Sequence, residues 1–277
     1  MVLEIKTIQP TYVTLARPTT KSWPSGTRIV PGKISRMKEQ VMMHRLTDEA
    51  VSMEVYFEQV EVADWPAIMP TETYLSKPVY YARPEESEDL TNQAQRLLAM
   101  VETNTGIPRV NDTAGHSFKA LGHRWQVYGR QAQASLRSFF YALGGKWKSV
   151  WVPTHYNDLQ IVADMEATTS YLEIEWCGYT RTGALSNSGT RDIMMTLRDG
   201  TRKYFRITQA EEISNGNERL ILNAAAGQPI KVSDVDRTSF MNIMRLDQDY
   251  IEFSHTTDSS NGMMSTKGVW LSLRDDI

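Results

Sequence analysis

The chain predicts a mainly β fold with an α+β centre and a β-sandwich or barrel-like C-terminal module. Three observations predict it. Between His123 and Asp164 the apolar period switches from two to 3.6 and back, as strand, helix and strand require. Beyond Asp164, Asp199-Gly200, Asn215-Gly216 and Asn261-Gly262 each separate two runs of strand character, the composition of tight hairpin turns. In the first third, Pro10, Pro18, Pro24, Pro31, Pro66, Pro70 and Pro78, with Pro84 at its boundary, disfavour long helices. The expected organisation is a Pro-rich, β or extended region over 1–85, an α+β unit over 86–165 and the β module over 166–277.

The elements follow in order. Met53 to Val62 reads as a strand, with a bulge between Phe57 and Val60 where the apolar phase slips; a helix is the alternative. Glu85 to Val101 reads as a helix. Glu85, Glu86, Glu88 and Asp89 sit in or before its first turn, where the dipole favours them, and Leu90, Ala94, Leu97, Leu98 and Val101 form a stripe. Asn104 to Gly115 reads as a loop broken by Gly106 and Pro108.

His123 to Gly129 alternates, with Trp125 and Val127 on one face of a strand. Ala132, Leu136, Phe139, Phe140 and Leu143 then make a single helical stripe, which leaves Arg130, Gln133 and Arg137 to solvent. Gly144-Gly145 supplies a left-handed stop. Val150-Trp151-Val152 resumes strand character, Pro153 breaks it, and Leu159, Ile161 and Ala163 restore it. In the last module Leu172, Ile174 and Trp176 alternate with Glu173 and Glu175.

Bulk properties narrow the function classes. A net charge of −3 gives no wholesale basic surface for direct nucleic-acid binding. Cys177 is the single cysteine, so no internal disulfide forms, which fits assembly in a reducing cytoplasm. The opening MVLEIKTIQP lacks the basic-then-apolar pattern of a secretory signal. No uncharged apolar stretch approaches the roughly 20 residues of a membrane span, so membrane insertion is not expected.

Candidate chemistry is sparse. His44, His116, His123, His155 and His255 form no His-Glu-x-x-His pattern, and Cys-x-x-Cys is absent, so neither a metal nor a cofactor is expected. Ser149, His155 and Asp158 surround the Trp-Val-Pro-Thr corner, but no Gly-x-Ser-x-Gly elbow accompanies them. The plainer reading is a turn, with Asp158 accepting backbone hydrogen bonds and His155 on the surface. Gly183, Gly189 and Gly200 make no phosphate loop, and Asp192, Asp199, Asp234 and Asp236 lack calcium-loop spacing. Trp147, Trp151, Tyr156, Tyr179 and Trp270 could form a sugar platform, although tryptophans at strand ends more often serve cores and interfaces. The pairs Met42-Met43, Met194-Met195 and Met263-Met264 suit adaptable packing or contact. The residues singled out are therefore anchors of a core or interface: Trp125, Phe139, Phe140, Trp147, Trp151, Pro153 and Trp270.

The series Trp125, helix Arg130–Leu143, Gly144-Gly145, Val150-Trp151-Val152-Pro153-Thr154 and Asp158-Leu159 resembles a pattern in tail-tip proteins of long-tailed bacteriophages. Their aromatic strand reads Phe-Trp-Leu/Val-Pro before Asp-Leu; here Val150 stands where a phenylalanine is usual. Met244 to Phe253 (MRLDQDYIEF) resembles a second strand of the same proteins. The resemblance covers 125–165 and 240–275, and the first 85 residues lie outside it. It implies a structural virion protein of the distal-tail or baseplate class, not an enzyme. Such a protein forms a homo-oligomeric ring, sixfold or threefold, between the tail tube and the hub and host-recognition fibres. It implies residence in the virion tail after assembly in the bacterial cytoplasm. Two alternatives stay open. A carbohydrate-binding module for host adsorption requires an exposed aromatic row in 166–277 that includes Trp270. A tail-associated hydrolase or peptidase requires His155 and Asp158 to converge with a serine or a metal.

Overall fold

The computed structural model describes residues 2–27, 32–38, 41–60, 66–87, 91–102, 106–182, 184–186, 188–256 and 262–273. The chain divides into two compact units, 1–64 and 65–277. The expected boundary near 85 thus falls earlier. The expected break near 165 does not occur, because strands from both sides of it share one sheet.

The first unit contains β1 (Ile5–Ile8), β2 (Val13–Leu15), β3 (Ser35–Met37), β4 (Met42–Arg45), β5 (Val51–Glu54) and β6 (Phe57–Gln59). They pair as three separate two-stranded antiparallel sheets, β1-β2, β3-β6 and β4-β5. The strand expected over Met53 to Val62 is therefore two strands with different partners, interrupted at Val55-Tyr56; Glu61 and Val62 lie outside the described residues. None of the described residues in this unit is buried. A lone two-stranded sheet with no covered face is marginal in water.

The second unit begins with the hairpin β7 (Thr73–Tyr74) and β8 (Lys77–Pro78). Then follow β9 (Thr91–Val101), β10 (Arg109–Tyr128), α1 (Arg130–Leu143), β11 (Val150–Pro153), β12 (Tyr171–Ile174), β13 (Asp192–Leu197), β14 (Arg202–Glu212) and β15 (Glu218–Leu222). The chain ends with β16 (Val235–Leu246), β17 (Phe253–Thr256) and β18 (Met263–Ser272). Ten of these strands form one antiparallel sheet in the order β12-β15-β14-β13-β16-β18-β10-β9, with β11 also on β16 and β17 on β18. The mainly β character with a short helix is as the sequence predicts.

Local patterns explain most elements. α1 occupies the predicted span and ends at Gly144, whose left-handed φ of 63° lets its N–H reach the Tyr141 carbonyl. Its buried stripe starts at Leu136, one turn later than expected, and leaves Ala132 exposed. Arg137 is not simply solvated: its guanidinium lies 5.7 Å from the Phe253 ring centre and 2.5 Å from His255 Nε2. Asp199-Gly200 joins β13 to β14 and Asn215-Gly216 joins β14 to β15, with both glycines at positive φ. At the third predicted turn, β17 and β18 pair antiparallel; Asn261 lies outside the described residues. Leu159 and Ile161 are buried, but the strand expected there reduces to one bridge between Ile161 and Ile174.

One expectation fails outright. The helix predicted over Glu85 to Val101 is strand β9 from Thr91 onward, while Glu88 to Leu90 lie outside the described residues. Its Leu, Ala and Val positions match a helical stripe, yet a stripe stabilises a helix only when a core covers it. Every residue of β9 is exposed. Its backbone bonds instead with β10, from Thr91 opposite Gly122 to Val101 opposite Arg109. The predicted loop over Asn104 to Gly115 shrinks accordingly, since β10 already starts at Arg109.

Strand alternation sorts the core onto two sheet faces. On β16, Met244 and Leu246 join Trp125, Leu136, Phe139, Phe140, Leu143, Val150, Val152 and Trp270 under the helix. Met241 and Ile243 point to the other face, where Trp151, Met194, Tyr74 and Val79 pack. A third cluster, with Ile193, Met195, Leu172, Ile174, Phe205 and Leu220, fills the β12–β15 end.

Candidate assembly interface

Six of the seven predicted anchors are core residues. Trp125, Phe139, Phe140, Trp151 and Trp270 are buried, the last two completely, and Pro153 is buried as the closing residue of β11. Trp147 is the exception: 81% of it is exposed, with Lys148 Nζ 5.2 Å from its ring centre. The buried anchors hold the segment over residues 72–86 onto the sheet. Trp151 Nε1 donates to the Tyr74 carbonyl at 2.9 Å, Trp125 Nε1 to the Ala82 carbonyl at 3.4 Å, and the Tyr80 ring stacks on Phe139 at 3.8 Å. Charge reinforces this strap. Glu72 accepts from Arg202 and from the Tyr204 hydroxyl, and buried Asp192 accepts from the Tyr74 hydroxyl at 2.7 Å and from Arg206 at 2.8 Å.

The corner after Pro153 is pinned to β16. The Asp158 carboxylate accepts from the Phe240 N–H and the Thr154 hydroxyl, as the turn reading predicts. Asn157 accepts from Thr238 N–H at 3.0 Å, and the His155 carbonyl accepts from Arg237 at 3.1 Å. His155 itself is a correction: it is buried, not on the surface, at a positive φ of 63°. Its ring meets the buried His123 ring edge-on at 5.8 Å, and neither His155 Nε2 nor His123 Nδ1 has a hydrogen-bond partner among the described residues. Burial pushes both imidazoles well below the usual histidine range; His123, Arg237 and Arg83 lower His155 further. The residues named for a hydrolase do not come together. Asp158 is held by Thr154 and Phe240, His155 faces His123, and Ser149 Oγ accepts from Lys77 Nζ at 3.2 Å.

The aromatic row needed by a sugar-binding module is also not assembled from the residues named for it. Trp151, Tyr179 and Trp270 are buried, whereas Trp147 and Tyr156 are exposed. The methionine pairs divide similarly. Met194 and Met195 are core, while Met42 and Met43 are exposed on β4.

Glu218 gave no signal in the sequence. It is fully buried at the start of β15, and its carboxylate accepts from the N–H groups of Cys177, Tyr179 and Thr180 and from the Thr180 hydroxyl, all between 2.7 and 3.1 Å. Burial alone would raise its carboxyl; the bonds from Thr180, Cys177 and Tyr179 outweigh that and hold it at about 2. Cys177 Sγ lies 3.4 Å from the same carboxylate, and burial together with Glu218 pushes its thiol up, away from reactivity.

Two surfaces stand open. One is the first unit, where Ile8, Tyr12, Met37, Met42, Met43, Met53 and Phe57 are all exposed on or beside short two-stranded sheets. The other is the β9-β10 arm. Leu97 and Val101 lie on one face of β9, Leu98 and Met100 on the other, and Ile107 at the turn is 97% exposed. β9 is also the last strand of its sheet, and its outer edge has no strand partner among the described residues. Such surfaces can be covered by other polypeptides. Among the described residues, no group of three or more His, Cys, Asp and Glu side chains could hold a metal, and no helix is long and apolar enough to cross a membrane.

The two stretches that carry the tail-tip resemblance pack against each other. β11 pairs with β16 from Val150 opposite Met244, and Lys146 N–H donates to Asp249 Oδ1 at 3.1 Å. MRLDQDYIEF is not one strand, however: β16 ends at Leu246 and β17 begins at Phe253. The chain matches no protein-family model and no curated protein sequence.

Proposed function

We propose that this chain is a structural subunit of a phage tail tip, forming a homo-oligomeric ring that joins the tail tube to the hub and host-recognition apparatus. The observation that carries the reading is the first unit, whose described residues include no buried side chain while its strands expose large apolar ones. Conformational entropy opposes ordering such strands on their own, so a covering surface stabilises them. The β9-β10 arm adds a second uncovered apolar element with an open edge. The sequence pattern over 125–165 and 240–275 supplies the specific tail-tip assignment. In a ring, the helix-backed sheet is the rigid body and the arm and hairpins are the contacts. The test is sedimentation of the purified chain together with electron microscopy of virions labelled by an antibody against it. A discrete oligomer and label at the distal end of the tail are expected. A chain that stays monomeric, with virions that assemble without it, would overturn the proposal.

A further inference from the structure

We infer that the first unit joins copies of this chain head to tail, the basic first half of one copy meeting the acidic second half of the next. This rests on the self-assembling reading above and names the surface that performs it. Residues 1–38 carry seven Lys and Arg against one acid, Glu4, a net +6; residues 39–64 carry seven Asp and Glu against one base, Arg45, a net −6. The overall charge of −3 conceals this segregation.

The structure keeps the two signs on different hairpins. Lys6 lies on the β1-β2 hairpin, with Arg17 and Lys21 just after it; Glu54 lies on β5, with Asp48 and Glu49 in the β4-β5 turn. The halves pair with each other at β3-β6, where Arg36 reaches Glu58 at 3.0 Å. Lys6, Arg17 and Lys21 have no ion-pair partner among the described residues, and Asp48 has only its near neighbour Arg45. Each hairpin also exposes apolar side chains: Ile8, Tyr12 and Val13 on the basic one, Met42, Met43 and Met53 on the acidic one. Apolar centres beside opposite charges are complementary in both terms that make an interface specific.

Opposite charges on two hairpins of the same unit point to a second copy as the occupant. A different partner would need to match one sign only. A unit with Lys6, Arg17 and Lys21 at one hairpin and Asp48, Glu49 and Glu54 at another is the complement of a second copy of itself. Pairing basic on acidic leaves one free hairpin of each sign at the ends, so the contact repeats until the ring closes.

The test uses the full-length chain in two charge-reversed forms, K6E/R17E/K21E and D48K/E49K/E54K. All six positions are exposed, so thermal unfolding monitored by tryptophan fluorescence, at a concentration low enough that the parent is dissociated, should match the parent chain. Native mass spectrometry should show each variant alone losing association, with a dissociation constant raised about tenfold or more, and an equimolar mixture recovering assemblies that contain both. Assembly of either variant alone at parental strength, or a mixture that recovers nothing, overturns the inference while leaving self-assembly standing. A parent chain that is itself monomeric overturns both readings together.

Discussion

Replacing Glu218 by Gln should cost the second unit about 3 kcal/mol at neutral pH, and the loss should fade in acid. The side chain is fully buried and its carboxylate accepts four hydrogen bonds, three of them from backbone N–H groups of residues 177–180. A carboxamide of the same shape offers one acceptor oxygen and aims an N–H₂ group at donors that need an acceptor. The magnitude follows from linkage. A carboxyl lowered from 4.5 to about 2 stabilises the fold by about 1.4 kcal/mol for each pH unit of the difference, or roughly 3 kcal/mol. Because the folded value is depressed, the contribution is complete above about pH 4.5 and is lost as pH falls toward about 2. Urea unfolding by tryptophan fluorescence at pH 7 and pH 3 would measure it. The gap between parent and variant should shrink roughly twofold at pH 3, to about 1.4 kcal/mol. A gap below about 1 kcal/mol at pH 7, or one that does not change with pH, would refute the account of this carboxylate as a buried anion held by backbone donors.

Two further predictions address the helix end and the corner. His123 and His155 are both depressed by burial, so the stability they lend is complete above about pH 6.5 and falls as the solution is acidified below it. His155→Asn, which tolerates the positive φ, should flatten the dependence of stability on pH between about 6.5 and 4.5; equal slopes for parent and variant would remove the pair as the source. Gly145 has a φ of 67°, and an added Cβ would fall 2.7 Å from Asp249 Cα, whereas Gly200 has a φ of 86° and open space. Gly145→Ala should therefore cost about 2–5 kcal/mol and Gly200→Ala about 1–2, read as melting temperatures, and similar losses at the two sites would contradict the close approach.

The legible parts of this chain were those whose local pattern and final burial agree. Leu136, Phe139, Phe140 and Leu143 repeat at helical spacing, and a core covers them. Leu90, Ala94, Leu97, Leu98 and Val101 repeat almost as well, yet no core covers β9 and the segment pairs with β10. Periodicity reports which residues could share a face; it does not report whether a face is covered. The corner was half legible for a similar reason. Asp158 next to Pro153 implies a turn, whereas the burial of His155 depends on His123, 32 positions away in the chain. Glu218 was invisible because its four partners come from a loop about 40 residues earlier, and no spacing rule connects them.

Two buried carboxylates and a half-buried one clarify how rigidity is distributed. Asp158, Asp192 and Glu218 each tie a non-helical segment to the sheet: the corner to β16, the strap through Tyr74 to β13 and β14, and residues 177–180 to β15. A fully buried anion is costly unless its hydrogen bonds are complete, so Asp192 and Glu218 each fix one geometry and penalise the alternatives. Apolar packing alone would hold these loops less specifically. The second unit is therefore over-determined where its loops meet its sheet, while the described residues of the first unit and of β9 include no buried side chain. In the ring proposed above, such a rigid body would fix where each arm begins, and ordering entropy would be lost only in the arms as neighbours cover them.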